Sequence, residues 1–184
     1  VTGRSPHLPN FQKRIDMITD WQTIIWQQFG AAIDMLANAI RACPENIWSD
    51  RSRKPEYWYI VYHTVFFLDF YLSESEDKFA PPAGYSLSEL DPSGVLPDRV
   101  YTKDELLAYL EHGRDKCRAA IASLTEERAH EPCGFRRGEL TEAELLMYNM
   151  RHVQHHAAQL NLILRQTIDS APNWVGKTKM KLGG

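Results

Sequence analysis

Histidine is the residue type in this chain whose placement points to chemistry. There are seven histidines, and four of them, His63, His152, His155 and His156, fall in the two most apolar stretches of the sequence. The run Tyr148-Asn-Met-Arg-His152-Val-Gln-His155-His156-Ala-Ala-Gln159 reads as a helix. At about 100° per residue, His152 and His156 lie about 40° apart and one turn above each other. Two imidazoles so placed can grip one metal ion from the same side, as the two histidines of an H-E-x-x-H helix do. Leu145, Tyr148, Gln159 and Ile163 share the stripe, so the face is expected to look inward. His155 lies about 60° from His152 on the other side. A His152–His155 grip is the alternative, ranked below His152–His156, and His155 is expected to face a neighbouring helix or a subunit boundary.

His63 is the third candidate. Its helical stripe is Tyr59, Ile60, Phe66, Phe67 and Phe70. A histidine among aromatics must satisfy two ring nitrogens, because an unpaired buried polar group costs about 1–3 kcal/mol. A metal held jointly with His152 and His156 would take one nitrogen, and a hydrogen-bond acceptor the other. The competing reading is a set of hydrogen-bonded core histidines with no metal. His7, His112 and His130 stand in polar or terminal contexts and read as surface residues.

Four long helical stretches must position these side chains, and no strand pattern competes with them. The first spans about Phe11 to Ala42, with Ile15, Ile18, Ile25, Phe29, Ile33, Leu36 and Ile40 at three- and four-residue steps, and Pro44 ending it. The second runs from near Pro55 to about Ser75 and is apolar almost all round, so it should sit against several neighbours at once. The third opens at the capping box Thr102/Glu105 and runs to about Leu124. The fourth opens at Thr141/Glu144 and runs to about Ile168. Between the second and third lies Asp77–Tyr101, punctuated by Pro81, Pro82, Gly84, Pro92, Gly94 and Pro97, a long loop of the kind that is often functional. A linker with Pro132, Gly134 and Gly138 precedes the fourth helix. Four helices of roughly 20 or more residues with one long crossover predict an all-α antiparallel four-helix bundle with its chemistry near the axis. The expected organisation is one domain over 1–184, with its core about 11–168 and a basic tail over 173–184 that is loose or docked on the surface.

The totals exclude several classes. The chain has 184 residues, 43% of them hydrophobic, and a formal charge of -3. That is enough to bury a core, and it leaves no basic footprint for nucleic acid. No run of about 18 apolar residues predicts a membrane span. Val1–Pro9 lacks a charged-then-apolar leader pattern, so a cytoplasmic location is expected. Cys43, Cys117 and Cys133 are too scattered for a zinc knuckle or a disulfide frame. They are read as free thiols that pack, neither metal ligands nor catalytic nucleophiles. Cys117, between Lys116 and Arg118, is the one whose basic neighbours could lower a thiol pKa.

Together, Trp58-Tyr-Ile-Val-Tyr-His63-Thr-Val-Phe-Phe-Leu-Asp69 and Arg151-His152-Val-Gln-His155-His156-Ala-Ala-Gln159 resemble the DinB-like superfamily of metal-binding four-helix bundles. Helix order and the middle crossover resemble it too, from about Phe11 to Ile168. The resemblance implies a triad of His63, His152 and His156, and a zinc or nickel ion, with iron as another choice. It also implies a small-molecule substrate, a low-molecular-weight thiol such as bacillithiol or mycothiol among the choices, and a homodimer. Three neutral nitrogen ligands would leave a coordination position open, where water or a thiol becomes more acidic. The expectation is therefore a metal-dependent enzyme activating a small thiol or water toward an electrophile, with Asp77–Tyr101 as a lid. The alternative is a non-catalytic metal-stabilised bundle acting in binding or stress response.

Overall fold

The computed structural model describes residues 10–135 and 140–183, with side chains from residue 21 onward. His7, the Val1–Pro9 segment, Gly138 and the side chains of Phe11, Ile15 and Ile18 lie outside the described residues. The described chain is all-helical, in the order α1 (Asn10–Ala42), α2 (Glu45–Trp48), α3 (Tyr57–Phe70), α4 (Lys103–Ala122), α5 (Glu126–Ala129) and α6 (Glu142–Ile168). Two short 3-10 turns, Glu76–Lys78 and Ser88–Leu90, lie between α3 and α4.

The four longer helices pack in a ring: α1 against α4 and α6, and α3 against α4 and α6. Pairings across the seams show the directions. Gln22 donates to the Leu124 carbonyl at 2.7 Å, whereas Asp34 meets Arg114 at 2.7 Å, so α1 and α4 run oppositely. Ring contacts His63–His156 and Tyr71–Tyr148 do the same for α3 and α6. The expected α1 stripe is buried at Ile25, Phe29, Ile33, Leu36 and Ile40. Each such side chain contributes roughly 1.5–3 kcal/mol when fully buried. Both capping boxes form, Thr102 with Glu105 and Thr141 with Glu144.

Several expected boundaries are corrected. α3 has 14 residues, shorter than the expected Pro55–Ser75. It begins after Glu56, whose extended backbone and buried carboxylate, held by Trp58 Nε1 at 2.6 Å and Arg51 at 2.8 Å, keep Pro55 outside the helix. It ends at Phe70 because its last carbonyls find other partners: Asn149 donates to Leu68 O at 3.0 Å and Lys116 to Asp69 O at 3.2 Å. Pro44 ends α1 but also opens the short α2, and α5 interrupts the expected linker.

The tail is docked, not loose. Thr178 is buried. Its N–H donates to Gln27 O at 3.0 Å, and Trp26 Nε1 donates to Met180 O at 2.8 Å. Gly30 makes room for it, since a Cβ there would come within 2.5 Å of Thr178 Cγ2.

The segment joining α3 to α4 is tied at its flanks. Phe79 packs edge-on against Phe66 and Phe70, both at 5.1 Å between ring centroids. Tyr62 donates to Ser86 O at 2.6 Å, Tyr85 to Glu105 O at 2.5 Å, and the Tyr101 hydroxyl accepts from Ser86 N at 2.9 Å. Between them Leu87, Leu90, Val95 and Leu96 are exposed.

Candidate metal centre

Only Tyr59, His63 and Phe67 of α3 escape full burial. They are four residues apart, a single stripe, and that stripe faces α6. The four-residue spacing on α6 brings His152 and His156 opposite it. Asn149 sets the register: three residues before His152, its amide holds the Leu68 carbonyl, which has no partner within α3.

The result is a cluster of three imidazoles. His63 Nε2 and His152 Nε2 lie 3.2 Å apart. The His63–His156 and His152–His156 ring centroids are 4.8 Å and 4.5 Å apart. One ligand atom from each of the three lies within 4.8 Å of the other two. Two nitrogens bound tetrahedrally to one zinc at 2.0–2.1 Å would stand about 3.3–3.4 Å apart. The observed pair, at 3.2 Å, is close to this spacing.

The outer partners set the tautomers. His63 Nδ1 meets Glu89 Oε2 at 2.7 Å. A carboxylate only accepts, so Nδ1 carries the hydrogen, and in the neutral ring Nε2 keeps its lone pair. His156 Nδ1 meets Gln159 Oε1 at 2.7 Å, which likewise leaves its Nε2 bare. Burial, more than any neighbour, lowers the His156 pKa to about 4. The neutral imidazole is the form a metal requires. A bare His63 Nε2 facing His152 Nε2 calls for either a hydrogen on His152 or a cation between them. The residues present therefore fit a metal ion.

The cluster sits at the α3–α6 seam, not on the axis as expected: His63 is 29% exposed through its side chain, and Gln159 is exposed. Aromatic rings border it. Phe67 lies 4.8 Å from His63 and 5.8 Å from His152, Tyr59 6.4 Å from His63, and Tyr71 6.3 Å from His152. The Tyr59 phenol is pushed up to about 12 by burial and then by the Glu89 charge. On the α1 side of α6, a pocket of about 610 Å³ is lined by Gln28, Ala31, Tyr148, His152, His155 and Trp174.

The remaining histidines stay apart from the triad. His155 is exposed, with its ring 5.0 Å from that of His156. It opens on that pocket. His112 and His130 are exposed, as expected. His112 Nε2 nonetheless lies 3.5 Å from the buried Asp69. Cys43 and Cys117 are buried and Cys133 partly so. Burial pushes the Cys43 thiol up to about 12 and raises Cys117 as well, overriding the basic neighbours. Lys116 turns away to the Asp69 carboxylate.

Two residues at this site had no mark in the sequence. Asn149 reads there as one polar residue in an amphipathic helix. Glu89 lies in the stretch without periodicity, and nothing local pairs it with a histidine 26 positions away.

A chain that is all-helical over its described residues, with a histidine cluster at a helix seam, is the class these features define. The family model described as the DinB superfamily matches residues 28–160, a span that contains His63, His152, His156, Glu89 and Gln159. The chain belongs to the DinB superfamily. No curated protein and no solved structure matches it.

Proposed function

We propose that the protein is a four-helix bundle that binds one divalent metal ion, zinc or nickel, through His63, His152 and His156, and acts on a small molecule beside it. The observation that carries this is the 3.2 Å approach of His63 Nε2 to His152 Nε2, with acceptors holding the far nitrogens of His63 and His156. When bound, such an ion supplies Lewis acidity and lowers the pKa of a water or thiol that reaches it. The chain's own residues do the rest. Glu89 and Gln159 keep the His63 and His156 lone pairs aimed inward. Phe67 and Tyr71 wall the cluster and limit water, and partly exposed Tyr59 lines its approach. His152 borders the pocket with Tyr148, so a substrate lodged there would lie next to the triad.

A site this accessible favours an enzyme activating a small thiol or water over a metal that only clamps α3 to α6. Elemental analysis of protein purified without chelator is expected to give close to one zinc or nickel per chain. Trace metal, with no uptake on adding zinc or nickel, would overturn the proposal. Assays with several low-molecular-weight thiols and electrophiles then separate the enzyme from the clamp. Activity lost with the metal while the fold survives supports the enzyme, and stability lost with no activity supports the clamp.

A further inference from the structure

Glu89 sits in an inverted setting. Its side chain is 4% exposed, while its neighbours Leu87 and Leu90 are 52% and 42% exposed. The segment turns Glu89 inward while Leu87, Leu90 and its second acid, Asp91, face outward, so for Glu89 and the two leucines the arrangement is the reverse of what hydrophobicity alone dictates. One carboxylate oxygen takes the hydrogen of His63 Nδ1 at 2.7 Å. The other, Oε1, is buried with no hydrogen-bond partner. Burying a carboxylate is costly even after relaxation, and two neutral donors, the His63 N–H and the nearby Tyr59 phenol, offset only part of that. The imbalance would be relieved by positive charge on the far side of the same imidazole, where His63 Nε2 faces His152.

We infer that Glu89 is a positioning residue that couples metal occupancy at His63 to the docking of residues 87–96, so that each strengthens the other. The inference rests on the metal-site reading above. A cation on Nε2 makes Nδ1–H a stronger donor to Glu89. Reciprocally, the Glu89 charge orients the ring and makes Nε2 a better ligand. By linkage, the factor by which the docked segment raises metal affinity equals the factor by which metal favours docking. The flanking anchors at Phe79, Ser86 and Tyr101 involve no triad residue, so the coupling is local to the stretch around Glu89. The Leu87 and Leu90 side chains would then be held over the seam when the ion is present and released when it is absent.

The test uses the full chain and zinc alone. Zinc affinity is measured by chelator competition, and hydrogen exchange of 87–96 is followed with and without zinc, for wild type, Glu89→Ala and Glu89→Gln. The expected result is a loss of zinc affinity on the order of 10–100-fold in Glu89→Ala, with zinc no longer slowing exchange in 87–96. Glu89→Gln is expected to fall between, because its amide oxygen still accepts from Nδ1–H without the charge. The cobalt-substituted absorption spectrum should shift in Glu89→Ala and move back toward wild type in Glu89→Gln. If Glu89→Ala fails to fold, Glu89→Gln carries the test, since it keeps size and the acceptor and should still lose part of the affinity. If wild type binds zinc but neither variant loses affinity, or zinc leaves 87–96 exchange unchanged in wild type, the coupling is overturned while the metal site stands. If Glu89 served only to pin the segment, Glu89→Ala would speed exchange equally with and without zinc, and that outcome also overturns it. If wild type takes up no zinc, the metal reading falls first and this inference with it.

Discussion

His63 Nε2 and His152 Nε2 face each other at 3.2 Å across the α3–α6 seam, although the two residues are 89 positions apart in the chain. A hydrogen or a cation must lie between them, because the hydrogen of His63 is committed to Glu89. Each consequence of this arrangement can be measured.

We predict that His63→Ala, His152→Ala and His156→Ala each reduce zinc affinity by more than the ~10–100-fold typical of losing an outer partner. His155→Ala should leave affinity nearly unchanged, since its ring is exposed and outside the cluster. Chelator competition decides it. Binding that survives His156→Ala but not His155→Ala would move the grip to His152 and His155.

Removing Asn149 tests how the seam is registered. Asn149→Ala would leave the buried Leu68 carbonyl without its partner and is expected to destabilise the fold by about 1–3 kcal/mol. Zinc affinity should also fall, as His152 loses its fixed position opposite His63. A variant with wild-type denaturant midpoint and wild-type affinity would contradict the register argument.

Acid should act on the metal-free protein through His156. Its folded pKa is lowered from 6.5 to about 4, by burial first. Between these values the unfolded chain takes up a proton that the native chain refuses, so stability falls as pH drops through that window and is insensitive to this group above it. Melting curves recorded in chelator should show this decline in wild type and a shallower one in His156→Gln. Equal slopes would show that His156 titrates normally in the fold.

The cysteines are expected to be bystanders. A Cys43→Ala/Cys117→Ala/Cys133→Ala variant should keep its metal content and any thiol-transfer activity of the parent. In the native protein a thiol reagent should reach Cys133 first, because Cys43 and Cys117 are buried. Activity lost with metal and fold intact would make a protein thiol the nucleophile.

Gly30→Ala probes the docked tail. The added methyl would stand 2.5 Å from Thr178 Cγ2 and 2.9 Å from its Cβ, so the tail must move. The expected cost is about 1–3 kcal/mol, as for other overpacked contacts, with a change in Trp26 fluorescence as its bond to Met180 O loosens. An unchanged spectrum and melting temperature would show that the tail is not held there.

The parts of this protein legible in its sequence are those governed by local geometry. The His152/His156 pair follows from the pitch of one helix, and the two capping boxes from side chains three residues from the groups they cap. The surround of His63 announced an all-round buried helix. Cys117 reads from the sequence as a packed, unreactive side chain despite its flanking bases, and packing supplies the reason: burial dominates and Lys116 serves Asp69. The length of α3 was not legible, because its end depends on which carbonyls Asn149 and Lys116 reach from other helices. Glu89 is the clearest case. A loop acid has no periodicity to betray it, and its partnership with His63 exists only once the segment after α3 folds back over the α3–α6 seam. Sequence determined which histidines could share an ion from one helix. His63 is already a candidate from its aromatic surround, but tertiary structure decided that it meets this pair and that Glu89 holds it, because both rest on distances between segments that no local rule encodes.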